Sequence, residues 1–242
     1  MAFRHIGLAL ATTAALCALT GCKETTSSAN IRTPGISMVL EVVARSASAS
    51  TVSATLQVGG PNGTYVILDA PDELYAEADG DRKQMKAVED GVYEAKFSVA
   101  DEGTEFVVGL DREEEDDATD NRGLLPAPFD ITSTFPDALS RADDEITVTW
   151  EPSDQDGDMK LEIEDEVGGC IAFDERQNIG GDPGMYVVEK GTLESQDTDK
   201  PETCDATLTL SRSRKGSTDS VLDSESTFVL MQVRSDVFAS AP

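Results

Sequence analysis

Residues 51–58 have the sequence TVSATLQV, in which small or polar residues alternate with apolar ones. Because successive side chains of a strand point to opposite faces, this alternation predicts a half-buried β-strand. Turn residues follow at once, in the stretch GGPNG at 59–63. Strand patterns of the same kind lie at 38–43, 65–68, 74–78, 85–88, 92–99 and 106–110. With no convincing pattern for a helix of about ten residues or more, residues 37–125 are predicted to form an antiparallel β-sandwich.

A second strand-rich region follows the stiff, proline-containing stretch around Pro126 and Pro128. Its clearest strand is 145–150, where Ile146, Val148 and Trp150 fall on one face. Further strand patterns lie at 161–164, around 208–210 and at 228–233. We therefore expect a second sandwich over residues 126–242, with Trp150 buried between its sheets.

A short motif connects both regions to a known architecture. The sequence DPGMY at 182–186 matches the Asp-x-Gly-x-Tyr pattern of immunoglobulin-like domains, and EDGVY at 89–93 approximates it. The resemblance implies that Tyr186 forms a corner in which its hydroxyl hydrogen-bonds to the backbone. The chain departs from the family in having Val188 where a cysteine is usual. The predicted fold is all-β, with two tandem immunoglobulin-like antiparallel β-sandwiches.

The beginning of the chain has the pattern of an export signal over residues 1–21. Arg4 supplies a positive charge, and the uncharged apolar run 6–19 is too short to span a bilayer comfortably. The sequence LTGC at 19–22 resembles the bacterial lipobox. That resemblance implies a thioether-linked diacylglycerol on Cys22, cleavage just before it, and acylation of the new amino terminus. The alternatives are an ordinary signal peptide cut at a small-residue site, or a retained anchor.

The residues after Cys22 bear on where such a lipoprotein would reside. Residue 23 is lysine rather than the aspartate that retains lipoproteins at the inner membrane in enteric-type sorting, so the resemblance favours the outer membrane. Residues 22–36 are rich in serine and threonine and nearly free of large apolar side chains. They are predicted to form a lipidated, flexible tether.

Charge and the histidine content exclude several functions. The formal net charge is −28, which argues against binding nucleic acid or adsorbing to anionic lipid, since both need clustered lysine and arginine. The only histidine, His5, would be removed with the signal, which excludes Ser-His-Asp and Cys-His catalysis and histidine-ligated metals. We predict that the protein is not an enzyme, although chemistry by a carboxylate pair or a lysine stays open.

Two acidic segments are candidate Ca²⁺ sites. Seven of the ten residues of 111–120 are acidic, and this segment is predicted to be an exposed loop or a weak Ca²⁺ site. Asp154, Asp156, Asp158 and Glu162 have the spacing of ligands in EF-hand and integrin-repeat loops. The match is incomplete because Met159 occupies the position of the usual glycine. The alternative is a hairpin turn of aspartate and glycine.

The cysteines and one basic cluster complete the candidate residues. If Cys22 is acylated, Cys170 and Cys204 form an even pair in a compartment that permits disulfides, so we predict a bond between them. The alternative is two separate thiols. Arg212, Arg214 and Lys215 are expected to balance nearby carboxylates rather than bind phosphate.

The sequence predicts a lipid-anchored envelope protein that acts as a non-catalytic binding or structural module. Its expected partners are the membrane, through the anchor, and an envelope protein or glycan. The alternative is a Ca²⁺-dependent adhesin or carbohydrate-binding surface protein.

Overall fold

The computed structural model describes residues 24–60, 62–165 and 169–242. The predicted signal peptide and Cys22 lie outside the described residues. Two short 3₁₀ helices span Ser28–Asn30 and Thr33–Gly35, and no described helix has the length and hydropathy needed to cross a membrane. All other regular structure is β, as predicted. The strands are β1 (Thr25–Ser27), β2 (Ile36–Ser46), β3 (Ala49–Val58), β4 (Thr64–Ile67), β5 (Glu73–Ala78), β6 (Asp81–Gln84), β7 (Lys86–Glu89), β8 (Val92–Phe97), β9 (Glu105–Asp111), β10 (Ala118–Leu124), β11 (Asp130–Ile131), β12 (Leu139–Ser140), β13 (Ile146–Glu151), β14 (Asp158–Asp165), β15 (Glu175–Asn178), β16 (Met185–Val188), β17 (Cys204–Lys215) and β18 (Thr227–Ala241).

The strands form one large sheet and two smaller ones. The large sheet has the order β1-β4-β3-β2-β18-β17-β14-β15, and β8 also pairs with β3 and carries β7. The four-stranded sheet has the order β10-β9-β5-β6, and β13 lies between β11 and β16 in the third. Most pairs are antiparallel, whereas β1–β4, β2–β18 and β12–β18 are parallel. The all-β, sandwich-like prediction is confirmed.

Two hydrophobic cores lie between these sheets. The first is formed where alternate residues of β2 and β3 meet those of β5 and β9, and Phe97 and Phe106 pack edge to face across it with centroids 5.8 Å apart. The second lies between β13 and the β14–β17 pair, where Trp150 has no exposed surface. The prediction that Trp150 is buried is therefore confirmed.

The last strand belongs to both cores. Phe228 and Leu230, in the first half of β18, pack in the first core, and Phe238, near its end, packs in the second. Leu125 lies in the first core and Phe129 in the second, so the chain passes between the cores at the proline-containing stretch. A boundary at 125/126 stays a prediction, because the cores share the continuous β17–β18 ribbon.

The predicted tether over residues 22–36 is wrong from Glu24 onwards. The backbone N–H of Tyr65 donates to the Glu24 carbonyl at 2.9 Å, and β1 pairs with β4. Ser28 and Thr33 are fully buried. The hydroxyl groups of Ser28 and Thr33 donate hydrogen bonds to the Asp72 carboxylate and the Asp116 carbonyl. Composition alone does not reveal that these hydroxyl groups bond to protein rather than to water.

A buried arginine holds this N-terminal segment against the first sandwich. Arg112 Nη2 donates to the carbonyls of Ser28 and Ile31, at 2.9 and 3.0 Å. Its Nε lies 2.8 Å from Asp72, whose carboxylate also accepts a bond from the Ser28 hydroxyl. Arg112 follows β9 at the start of the acidic segment, so one residue of the predicted loop is structural. Only residues 112–117 of the segment 111–120 lie between strands, because Asp111 ends β9 and β10 begins at Ala118.

Candidate functional site

The Asp-x-Gly-x-Tyr motif of the second sandwich places a carboxylate in the interior. Asp182 accepts a bond from Trp150 Nε1 at 2.5 Å and one from Arg212 Nη2 at 2.8 Å. Neither carboxylate nor guanidinium has exposed side-chain surface. Burial lowers the pKa of Arg212, and the neighbouring Asp182 charge opposes that shift. The pair is thus a structural ion pair in which each charge compensates the other.

Arg212 also donates hydrogen bonds to the proline-containing segment where the chain passes from the first core to the second. Its Nη1 donates to the carbonyl of Ala127 at 2.9 Å, and its Nη2 donates to the carbonyl of Pro152 at 2.5 Å. Its guanidinium lies 5.0 Å from the centre of the Phe129 ring. Proline-containing stretches have few backbone N–H donors of their own, so a side-chain donor satisfies their carbonyls.

The two tyrosines of the motif behave differently. The hydroxyl of Tyr93 accepts the backbone N–H of Leu68 at 2.8 Å, which is the corner-like bond that the resemblance implied for Tyr186. Burial raises the pKa of Tyr93, and the bond from Leu68 opposes that shift in part. Tyr186 packs against the second core, and Asp182 of its motif makes the polar contacts there. The approximate motif at 89–93 therefore supplies the hydrogen bond of a tyrosine hydroxyl to the backbone. The full match at 182–186 supplies the buried carboxylate.

The basic cluster is engaged with carboxylates, as predicted. Besides the Arg212–Asp182 pair, Arg214 lies 3.2 Å from Asp156 and 3.7 Å from Glu102. Lys215 is exposed at the end of β17. These pairings leave no cluster of unpaired guanidinium groups here to receive a phosphate.

The predicted Cys170–Cys204 disulfide is present, with a Cα–Cα distance of 6.0 Å. Beside it, Asp165 Oδ2 accepts the backbone N–H groups of Gly169, Cys170 and Ile171 at 2.8–3.1 Å. Asp165, Cys170 and Cys204 are the only group of three potential metal ligands within 4.8 Å of one another among the described residues. Because the two sulfurs are bonded to each other, we interpret this cluster as a disulfide rather than a metal site. Asp165 caps the backbone N–H groups of residues 169–171 beside it.

A buried arginine packs against the disulfide. Arg141 Nη1 donates to the Ser240 carbonyl at 2.9 Å and lies 3.3 Å from Cys170 Sγ, and its Nη2 donates to the Glu202 carbonyl at 2.7 Å. Burial lowers the pKa of Arg141, while the charge of Asp165 opposes the shift. Its role is to satisfy carbonyls around the cross-link.

The acid sensitivity of the Asp165 loop follows from its hydrogen bonds. Burial raises the pKa of Asp165, but the three backbone donors outweigh it and lower the pKa below its ordinary value. A carboxylate whose pKa is lower in the folded state than in the unfolded chain stabilises the fold fully above the unfolded-state pKa, which is about 4. This stabilisation is lost as the pH falls through the folded-state pKa. We expect Asp165→Asn to lower the melting temperature clearly at pH 7 and much less at pH 3. Equal losses at both pH values in thermal melts would contradict this assignment.

The four carboxylates predicted as a Ca²⁺ site are not gathered into one. Asp156 pairs with Arg214, and Asp158 accepts the backbone N–H of Gly181 at 3.3 Å. Glu162 contacts Arg176 and, at 3.6 Å, Lys160. No three of the four predicted ligands lie within 4.8 Å of one another. Asp154 has a positive φ of 56°, as in a turn.

Calcium is therefore expected to leave the melting temperature unchanged relative to excess EDTA. Binding at this loop would have to break the contacts of Asp156 with Arg214 and of Glu162 with Arg176, which offsets the gain from ligation. Differential scanning fluorimetry measures this directly. A rise of several degrees in Ca²⁺ that is absent in the Asp156→Asn variant would restore the calcium interpretation.

A groove of about 580 Å³ lies on the outer face of the large sheet. Because Leu208 and Leu210 of β17 point into the second core, the alternate residues Thr209, Ser211 and Ser213 point outwards and line the groove. Val229, Met231 and Val233 of β18 form its apolar floor, and Arg45 and Lys160 are among its charged residues. Hydroxyl and aliphatic groups can hold a ligand by hydrogen bonds and packing.

Comparisons with known proteins found no matching family and no matching curated protein. Among solved structures, a segment of two fibronectin type III domains from chicken tenascin aligns over 82% of this chain and 96% of its own, with 14% identity and a TM-score of 0.26. The Yersinia pseudotuberculosis adhesin InvE aligns over 85% of this chain and 59% of its own, with 16% identity and a TM-score of 0.24. An Escherichia coli alpha-2-macroglobulin aligns over 86% and 20%, with 12% identity and a TM-score of 0.25. Overlaps at this level carry no functional argument, so the class of protein rests on the chain's own features: a β-sandwich protein with two cores.

Proposed function

We propose that this chain is a lipid-anchored protein of the bacterial cell envelope whose β-sandwich body is a non-catalytic binding or structural module. The observation that carries the proposal is the sequence LTGC at 19–22, at the boundary between the apolar run and the polar chain. Acyl chains on Cys22 would hold the body at a membrane while it stays in water, because each buried CH₂ contributes about 0.8 kcal/mol and two or more chains give stable anchoring.

Features of the body support binding rather than catalysis. The basic residues Arg212 and Arg214 pair with carboxylates, and the Arg141 and Arg112 guanidinium groups satisfy backbone carbonyls. The outer-face groove offers hydroxyl groups and an apolar floor. Lys23 favours the outer membrane as the site of anchoring.

Replacement of Cys22 by alanine tests the proposal in cells. We expect Cys22→Ala to move the protein from the membrane fraction to the soluble or secreted fraction, since no described helix has the length and hydropathy to cross a membrane. Cys17→Ala is the matched control, because Cys17 lies within the discarded signal, and it should leave the protein in the membrane fraction. Membrane association of the Cys22→Ala variant after detergent-free washing would contradict the proposal.

A further inference from the structure

The end of the molecule at which the described residues begin is defined by several loops that meet there. The first described residue, Glu24, accepts the backbone N–H of Tyr65 at the beginning of β4, close to Gly63 in the chain. Asp223 N–H donates to the Ile36 carbonyl at 3.0 Å, and the Thr33 hydroxyl donates to the Asp116 carbonyl at 2.6 Å. We name this the proximal end. It comprises the segment 24–35, residues 62–63, and the loops 69–72, 112–117 and 219–226.

The opposite end lies at the far end of the shared ribbon. β18 begins at Thr227, beside Val39 of β2, and runs for 15 residues to Ala241, beside which β12 and the disulfide-bonded Cys204 are found. At about 3.3 Å per residue, this strand is about 50 Å long. The disulfide and the Arg141 cluster are therefore separated from the proximal end by the length of both sandwiches.

The distance from Cys22 to the body is short. Cys22 precedes Glu24 by two residues, and an extended chain spans at most about 3.6 Å per residue, so their Cα atoms are at most about 7 Å apart. The polar layer on each side of a bilayer is about as thick as this distance, at roughly 5–8 Å. An acyl group on Cys22 would therefore bring Glu24 to the level of the lipid headgroups.

We propose that the proximal end rests on the headgroup layer of the membrane and that the β17–β18 ribbon stands away from it, which presents the second sandwich outwards. This inference rests on the proposed acylation of Cys22. The exposed carboxylates of Glu113, Glu114 and Asp116 keep the proximal end out of the hydrocarbon. They complement the ammonium groups of zwitterionic phospholipids, and those groups are the partner that this end fits. Anionic headgroups within about 10 Å, one Debye length at 0.1 M salt, would repel it.

The structure allows the orientation to be tested without the cell's acylation machinery. Cys170 and Cys204 are bonded to each other, so Cys22 is the only free thiol of residues 22–242. This protein can be coupled through Cys22 to a maleimide lipid in phosphatidylcholine vesicles. A glutamate-specific protease then reports access to Glu113 and Glu114 at the proximal end and to Glu202, which is exposed beside Cys204.

We expect coupling to slow cleavage after Glu113 and Glu114 at least about tenfold, because the protease cannot enter between the loop and the vesicle, and to leave cleavage after Glu202 unchanged. Inserting 20 glycine and serine residues between Lys23 and Glu24 adds a span of about 25 Å and should restore cleavage at the proximal end. The proposal would be overturned if coupling changed the cleavage rates after Glu113 and after Glu202 by the same factor, whether both were unchanged or both were slowed. Such results would leave the acylation of Cys22 in cells unaffected, since the mass of the amino-terminal peptide reports that separately.

Discussion

Replacing Asp182 with alanine is expected to destabilise the protein by about 3–5 kcal/mol, the usual cost of leaving one member of a buried ion pair uncompensated. The Arg212 guanidinium would stay in the interior without a counter-charge, and Trp150 Nε1 would lose its acceptor. Because Arg212 also bonds the Ala127 and Pro152 carbonyls, the loss would spread to the crossing between the cores. Urea unfolding at pH 7 measures the change.

Two further variants separate the charge effect from packing. Asp182→Ala combined with Arg212→Met removes both charges and should recover part of the lost stability, since no orphan charge remains. Asp111→Ala is the surface control: its 2.8 Å contact with Arg82 joins side chains that are 42% and 52% exposed, so the cost should be at most about 1 kcal/mol. Similar losses for Asp182→Ala and Asp111→Ala would show that the buried pair has no special role.

Removal of the disulfide with Cys170→Ala and Cys204→Ala is expected to cost about 4 kcal/mol. In the chain-entropy model, this is the contribution of a cross-link that closes a loop of about 35 residues. The bond joins the beginning of β17 to the loop capped by Asp165, and Arg141 packs against its sulfur. The expected result is a lower urea midpoint with an unchanged native-state β-sheet spectrum.

A reducing agent distinguishes the cross-link from the loss of two side chains. Dithiothreitol should lower the urea midpoint of the native sequence toward that of the double variant and have no effect on the double variant itself. Cys22→Ala is the matched control and should unfold like the native sequence in both conditions. Coincident unfolding curves for all of these proteins would mean that the bond contributes no stability.

The alternating patterns predicted much of the fold because side-chain period is a local property. The strand at 51–58 and the burial of Trp150 follow from periodicity, and the cysteine pair follows from the even count that an acylated Cys22 would leave. The length of β18 does not follow from the sequence: the successive residues Ser235 and Asp236 are both polar and exposed, so the pattern breaks where the strand passes from one core to the other. Its parallel pairing with β2 joins residues about 190 positions apart, which no local signal encodes.

The polar clusters were the least predictable features. The sequence shows Asp182 only as part of a turn motif, because its partners Trp150 and Arg212 are 32 and 30 residues away. Arg112 lies in a segment whose acidic residues predict a surface loop. Its carbonyl partners, Ser28 and Ile31, lie in the segment predicted to be a tether. A lone arginine beside five consecutive acidic residues, Glu113–Asp117, is the one local signal that could have indicated a buried ion pair. The spacing of the four carboxylates at 154–162 does not reveal that Asp158 and Glu162 lie in β14, or that arginine side chains contact Asp156 and Glu162.

The most direct test of the central claim is the mass of the amino-terminal peptide of the protein isolated from membranes. We predict that digestion yields a peptide that begins at Cys22 and carries a diacylglycerol thioether and an amide-linked acyl chain. A peptide that begins upstream of Cys22, or one in which Cys22 has a free thiol, would contradict the account.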